Sequence, residues 1–399
     1  MKLLASCEYR FHRTPDAVVW TQTVFASTAW SIHLKVFDEV NVLARVEDVP
    51  HPPPNAVPAS GERVKFIAIP YYVGPWNYLK RRASVRLAII GAINNAEAVL
   101  LRIPSQIAGM AESCLLRDDH PFAVRVVGDP DESMAAGAMR HPLRPFLRWW
   151  FARRQRSQCW NSCAAAYVTD EILQAKYPSR PDAPRFSFSD VDLPDDAYTL
   201  SPRAHDRKRA NWTLITVTSM EQPYKAVDVQ IDAVARCVSR GLDLNFAIIG
   251  GGRQRESLEA RGHQRGLGHR IRFLGQLPGG KAVREELDRA DLFLMPSRTE
   301  GKPRALIEAM ARALPSIGSH AGGIPELLPE EDLVQAGDVG SLSNKLIEVL
   351  ESPGRMDAMS VRNLERSRAF SHGHVEGRML EFYRHLETMT RAWMDRRSR

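Results

Sequence analysis

Residues 291–326 read DLFLMPSRTEGKPRALIEAMARALPSIGSHAGGIPE. Four apolar residues, Leu292 to Met295, have the length and bounding turn of a buried strand. They run into a polar turn, Pro296 to Gly301, and a helix is expected to open at Pro303, whose missing N–H costs nothing as a first helical residue. A second strand over Leu314 to Ile317 and a second glycine turn at Gly322 and Gly323 follow. The amides of Arg304, Ala305 and Leu306 then lack intrahelical acceptors and have the positive end of the helix dipole behind them, which suits a diphosphate. Glu300 lies in the turn and Glu308 within the helix. Ionised carboxylates only accept hydrogen bonds, so they pair well with the vicinal diols of ribose or hexose. A ligand anionic at one end and hydroxyl-rich at the other, such as a nucleotide sugar, fits this order. The plainer reading is that Glu300 caps the helix and Glu308 is a surface residue.

Outward from this stretch, strand-like and helix-like segments alternate along the whole chain, which argues for parallel α/β sheets. Strands are expected at Lys2–Ser6, Glu39–Arg45, Val64–Ile69, Ala98–Arg102, Ala123–Val127 and Ala165–Thr169. After a stretch around 195–211 that loses apolar pattern, where a linker is expected, they resume at Trp212–Val217, Leu244–Ile249 and Ile271–Leu274. Helices are expected from about Ala226 to Arg240 and from Arg255 to Gln264. At 399 residues the chain exceeds one ordinary core. Two doubly wound domains are expected, over 1–200 and 201–370, with a C-terminal helical segment over 371–399.

The composition is globular, 44% hydrophobic and 25% charged, and no apolar run is long enough to span a bilayer. MKLLASCEYRFHR reads as a first buried strand rather than a secretory signal. Five cysteines in no metal-type spacing (Cys7, Cys114, Cys159, Cys163 and Cys237) read as reduced thiols in a cytoplasmic protein. The formal charge of +7 leaves nucleic acid, anionic lipid and phosphorylated substrates open. No nucleic-acid motif accompanies it, so that partner is not expected. Arg140 to Trp160 interleaves arginines with Phe146, Trp149, Trp150, Phe151 and Trp160, and Lys80, Arg81, Arg82 and Arg86 form a second basic cluster. Such a helix lies at an anionic membrane surface, or is a solvated face over core-packed rings.

With these residues on the page, the chain resembles the GT-B fold retaining glycosyltransferases of family four (group 1), including those of polysaccharide biosynthesis. Glu300, Gly301, Pro303, Glu308, Ala309, Met310 and Ala311 match their E-G-x-P-x-x-x-x-E-A-M-A signature. Gly322, Gly323 and Glu326 match the G-G-x-x-E that follows. The resemblance covers residues 211 to 350 well and the N-terminal half loosely. It implies two Rossmann-like domains facing across a cleft, with acceptor bound by the first and nucleotide-sugar donor by the second. The final helix is implied to cross back onto the first domain. It further implies that Glu308 binds the ribose, that Lys225 and the helix amides hold the diphosphate, and that Glu300 with the Gly301–Lys302 backbone positions the sugar. Retention of anomeric configuration by same-face attack is implied, with the leaving phosphate taking the acceptor proton and with no metal or cofactor.

One further agreement and two departures accompany the match. In IIGGGRQR, Gly250, Gly252 and Arg255 fit the family's G-x-G-x-x-R at the donor pocket, whereas the glycines alone read as a tight strand–helix turn; Arg255 stands where a dinucleotide fingerprint needs glycine. The family's arginine five residues before Lys225 is Met220 here, so a substitute cation is expected from Lys302 or Arg304. HRTPDAVVWT (12–21) occupies the place of the acceptor loop without its glycines. Asp129, in VVGDP, either orients an acceptor hydroxyl or caps a turn, and Arg102 is a weaker candidate of the same kind. Two other functions remain open: a sugar-nucleotide epimerase or hydrolase of the same fold, and a non-catalytic nucleotide-sugar-binding scaffold.

Overall fold

The computed structural model describes residues 1–134, 143–191, 193–205 and 211–398. Residues 206–210 of the expected linker and 140–142 of the basic segment lie outside this set. The chain divides into two compact units. One comprises Met1–Gly128, Trp149–Phe188 and Glu376–Arg399, and the other Asp129–Arg148 and Ser189–Val375.

The first unit is built on β1 (Lys2–Arg13), β2 (Val19–Thr21), β3 (Glu39–Asp48), β4 (Val57–Pro58), β5 (Val64–Ile69), β6 (Ala98–Ile103), β7 (Ala123–Val126), β8 (Ala164–Tyr167) and β9 (Arg185–Ser187). Its strands β5-β3-β1-β6-β7-β8-β9 are parallel throughout, and β2 and β4 add an antiparallel ribbon beside β1. Helices α1 (Gly74–Asn94) and α2 (Gln106–Leu115) follow β5 and β6. After β7 come α3 (Pro130–Ser133), a single short turn that belongs to the second unit, and α4 (Arg144–Asn161), which belongs to the first unit from Trp149 on; after β8 comes α5 (Ile172–Lys176). Alternate residues of each strand feed opposite faces. Leu4 joins the layer with Ile89 of α1, Ile107 of α2 and Ala152 of α4, while Leu3 and Ala5 join Phe11, Phe37 and Phe382 on the other side. A parallel sheet buried on both faces needs such continuous apolar strands.

The second unit carries β10 (Asn211–Val217), β11 (Asp243–Ile249), β12 (Ile271–Gly275), β13 (Leu292–Met295), β14 (Ser316–Ser319) and β15 (Leu333–Val334). All pair in parallel in the order β12-β11-β10-β13-β14-β15. Its helices are α6 (Val227–Ser239), α7 (Arg255–Gln264), α8 (Lys281–Arg289), α9 (Arg304–Ala311), α10 (Val339–Leu350) and α11 (Pro353–Ser367). Leu292 and Leu294 pack with α6 and α10 on one face, and Phe293 and Met295 pack with α8 and α9 on the other. The last helix, α12 (His372–Arg397), gives Phe382, Tyr383 and Leu386 to the core of the first unit.

Two expectations are corrected. Residues 12–21 are not an open loop: β1 continues to Arg13 and pairs with β2 through His12 opposite Trp20. The turn closes without glycine because Ala17 takes φ +64 and its N–H donates to the Thr14 carbonyl at 2.9 Å. The strand expected at Leu314–Ile317 lies instead at Ser316–Ser319. Its serines are fully buried, and their hydroxyls donate to the carbonyls of Leu314 (2.9 Å) and Ser297 (2.6 Å), so their burial leaves no polar group orphaned. Among the described residues no helix is long and apolar enough to cross a membrane. All five cysteines are free, and burial pushes the thiols of Cys7, Cys159 and Cys163 up to about 11, 12 and 12.

Candidate active site

In the second unit the chain order turns back between β10 and β13, strands that are hydrogen-bonded neighbours. Open parallel sheets bind ligands beyond the strand ends at such a reversal. The loop after β10 carries Lys225 and the loop after β13 carries Glu300. Their side chains meet, with Lys225 Nζ 2.6 Å from Glu300 Oε1. Both are largely shielded, at 19% and 7% side-chain exposure. Ser297 donates its hydroxyl to the same Oε1 at 2.8 Å. Glu300 Oε2 makes no hydrogen bond to a described residue, so one carboxylate oxygen is held and the other is available.

Local sequence explains how the two loops reach each other. Pro223–Lys225 form a 3₁₀ turn, and Ala226 enters the left-handed region at φ +56 before α6 begins at Val227. Arg298 ties this turn to the β13 loop. Its N–H donates to the Tyr224 carbonyl at 2.7 Å, and its guanidinium binds the Pro223 carbonyl and both carboxylate oxygens of Asp228 at 2.5–3.1 Å. The second glycine turn closes on the first: the Gly323 N–H donates to the Gly301 carbonyl at 2.7 Å. Gly322 has φ +50, and a Cβ there would overlap the Glu300 carbonyl, so glycine is required on both counts.

The first residue of α9 is Arg304, and Pro303 is its extended N-cap at φ −74, ψ 116. This moves the expected helix start by one position. The reason is the proline ring, which satisfies a cap as readily as a first-turn site because neither needs its N–H. No side chain caps the helix, so the amides of Arg304, Ala305 and Leu306 keep no side-chain acceptor. The side chain of Glu308, one turn further, makes no hydrogen bond or ion pair with a described residue. Burial raises its carboxyl above the usual range, opposed by the charges of Arg304 and Arg284. Arg304 itself is exposed.

Other expected donor residues are placed differently. Lys302 does not present a cation to the helix end: its ammonium is 3.3 Å from Glu326 Oε2, both side chains nearly buried, and it stands over the Phe370 ring. A buried lysine needs such a partner, and Glu326 supplies it. Met220 is buried in the core, its backbone bonded to Gly251 and Gln254. Gly250 and Gly252, at φ +131 and +147, let the loop after β11 lie against the backbone of Thr218, Met220 and Glu221, where a Cβ would clash. Arg255 turns away to Glu259 (2.7 Å) and the Phe273 carbonyl (3.2 Å). Asp129 is the N-cap of α3 and accepts from the Asp131 N–H at 2.8 Å; Arg102 lies over the Phe25 ring. Ser297, Arg298 and Asp228 were not singled out from sequence. Ser297, three residues before Glu300 at a strand end, carried a readable signal; the Arg298–Asp228 pair, far apart in sequence, did not.

Known proteins bear on this geometry. Residues 211–352 match the model of glycosyl transferases group 1. Protein CapJ of Staphylococcus aureus is 24% identical over 86% of this chain and 88% of its own length. A GDP-mannose-dependent monoacylated alpha-(1-6)-phosphatidylinositol monomannoside mannosyltransferase of Corynebacterium glutamicum is 32% identical, over 46% of this chain and 48% of its own. Among solved structures, sucrose-phosphate synthase of Thermosynechococcus elongatus superposes with a TM-score of 0.70 at 16% identity, covering 97% of this chain and 99% of that one. The architecture is therefore the GT-B fold, and residues 211–352 are similar to the group 1 glycosyl transferases.

Proposed function

We propose that the chain is a retaining glycosyltransferase that moves a hexose from a nucleotide-diphosphate sugar to a glycan or lipid-linked acceptor in surface polysaccharide or glycolipid assembly. The observation that carries this reading is the Lys225–Glu300 pair at the sheet reversal, with an uncapped helix end and an unpartnered Glu308 in the same unit. An ammonium has three donors, so Lys225 can keep Glu300 while meeting a phosphate. As the anomeric C–O bond breaks, the leaving diphosphate gains charge, and Lys225 with the α9 amides stabilises it; oriented donors of this kind give large rate effects. Glu300 Oε2 accepts from a sugar hydroxyl, and Glu308 from the ribose. The acceptor oxygen attacks from the face the diphosphate leaves, and its proton passes to that phosphate. No carboxylate is assigned as a nucleophile, so the double displacement of retaining hydrolases is not invoked. The reading assigns no metal and no cofactor. Relatives named for phosphatidylinositol monomannoside favour an acceptor at a membrane, with the protein peripheral on its cytoplasmic face.

Transfer assays test this. With a panel of UDP-, GDP- and ADP-sugars and lipid-linked acceptors, Lys225→Ala and Glu300→Ala are each expected to lose about 10²–10³-fold in kcat. Wild-type rates in both variants refute the assigned roles. Isomerised donor or free sugar formed without acceptor points to the epimerase or hydrolase instead.

A further inference from the structure

A groove of about 490 Å³ in the first unit lies among α1, α2 and α4, with no place in the donor chemistry. Its walls include Arg82, Arg86, Arg117, Arg153 and Arg154 and no acidic side chain. None of these five arginines has an ion-pair partner among the described residues. Arg154 is the innermost. Its guanidinium rests against Gly109 of α2, where a Cβ would occupy its position, and lies 5.1 Å from the Trp150 ring centroid. Burial lowers its proton affinity, with Glu112 and Tyr78 acting in the opposite sense. Glu112 attracts it electrostatically but forms no ion pair with it; that carboxyl is raised by burial and accepts from Ser157 Oγ at 2.9 Å. A partly buried guanidinium with no contacting acid, beside four further unpaired arginines, is held more favourably when an anion enters the groove from outside.

The rim identifies the anion's source. Helix α1 carries Lys80, Arg81, Arg82 and Arg86 and no carboxylate in 21 residues. Next to its groove-facing row Tyr78, Arg82 and Arg86 runs a second row, Trp76, Leu79, Ala83 and Leu87, at helical spacing. That row is exposed to solvent, Trp76 at 76% and Leu87 at 69%. Trp149 of α4, at the groove edge, is 57% exposed. Free phosphate needs no apolar collar, whereas a headgroup layer offers phosphate and acyl boundary together. We propose that this groove seats the phosphate of an anionic lipid headgroup on Arg154, with Arg82 and Arg86 at its mouth, while the Trp76–Leu87 row lies in the lipid interface. The proposal deepens the peripheral-membrane part of the reading above and is independent of the sugar chemistry.

The test is partition of the full chain onto phosphatidylglycerol/phosphatidylcholine vesicles, against phosphatidylcholine alone. Arg154→Ala and Arg86→Ala are each expected to weaken partition about tenfold, and Gly109→Ala, which keeps every charge but displaces the guanidinium, to weaken it as well. Arg272→Ala, which removes one charge that is not part of the groove, is expected to stay within about twofold of wild type, since an exposed charge that does not meet the headgroup acts only through screened attraction. The proposal is overturned if Arg154→Ala or Gly109→Ala partitions like wild type, if Arg272→Ala loses as much as Arg154→Ala, or if neutral vesicles bind equally well. Inorganic phosphate is expected to leave the tryptophan fluorescence unchanged while the mixed vesicles shift it. Phosphate that reproduces the shift and abolishes vesicle binding at matched ionic strength overturns the lipid assignment. Donor-sugar binding, followed by thermal shift on the same variants, is expected to be unaltered, which separates failure here from failure of the transferase reading.

Discussion

Glu308 holds a carboxylate where solvent is scarce and no hydrogen-bond donor meets it. Its folded pKa is raised above the unfolded value, so the sign is opposite to that of a salt-bridged acid. Stability is greatest below the ordinary carboxylate range, and is lost as pH climbs through the raised folded value. Glu308→Gln removes that dependence. The variant is expected to melt higher than wild type at pH 7, by about 2–4 °C per kcal/mol recovered, to match it near pH 4, and to bind donor more weakly. Calorimetry at the two pH values with a donor titration checks all three outcomes, and equal melting temperatures at pH 7 refute the burial argument. The Lys225–Glu300 pair makes the complementary case. Lys225→Ala strands a carboxylate that is 7% exposed and held only by Ser297, whereas Glu300→Ala strands an ammonium with more access to water. Lys225→Ala is therefore expected to be the more destabilising, by about 1–3 kcal/mol, and the double variant to cost less than the sum. Urea melts of the cycle measure this. At this scale the sequence singled out Lys225 and Glu300 but not their contact. It did not disclose that Lys302 would be consumed by Glu326, because a buried ion pair leaves no local pattern.

Elements were legible where an apolar period met a clear terminator. Helix α7 begins at Arg255 and β13 spans Leu292–Met295, as periodicity and turn chemistry indicate. β14 was missed by two residues because its buried positions are serines, satisfied by carbonyls of other segments, and apolarity alone cannot register such a strand. β1 was cut short because Glu8, Tyr9 and Arg10 interrupt the apolar run, although the ladder to β3 resumes after a register shift. Left-handed residues were equally silent. Ala226 sits at φ +56 between the Lys225 turn and α6, a conformation that disfavours any side chain. Ala226→Gly is expected to raise stability by about 0.5–1 kcal/mol, with the greater flexibility of the unfolded glycine offsetting part of the relief. Gly322→Ala has the opposite sign: φ +50 and the clash with the Glu300 carbonyl predict a loss of about 1–3 kcal/mol and a fall in transfer rate beyond that of stability. Denaturant midpoints and kcat for the two variants decide it. A Gly322→Ala protein of full stability would mean that the two turns do not pack as described.

For the whole molecule, the deciding feature is that each sheet has its own pair of apolar layers, and that α12 completes one of them far from its neighbours in sequence. Phe382 is fully buried there, its ring 5.4 Å from Phe186 and 5.7 Å from Phe188. The basic end of the helix was plain from sequence and the resemblance implied its return to the first domain, but the rings that its apolar face meets required the fold. Truncating a buried phenylalanine costs about 3–5 kcal/mol, and in Phe382→Ala the loss falls on the first unit's core. A nucleotide-sugar donor that binds the Lys225–Glu300 site stabilises the second unit by mass action. Calorimetric scans of a chain with two separate cores are expected to resolve two transitions. Phe382→Ala should lower one of them, and saturating donor should raise the other in wild type and variant alike. If donor raised the same transition that Phe382→Ala lowers, the donor site could not reside where the Lys225–Glu300 pair places it.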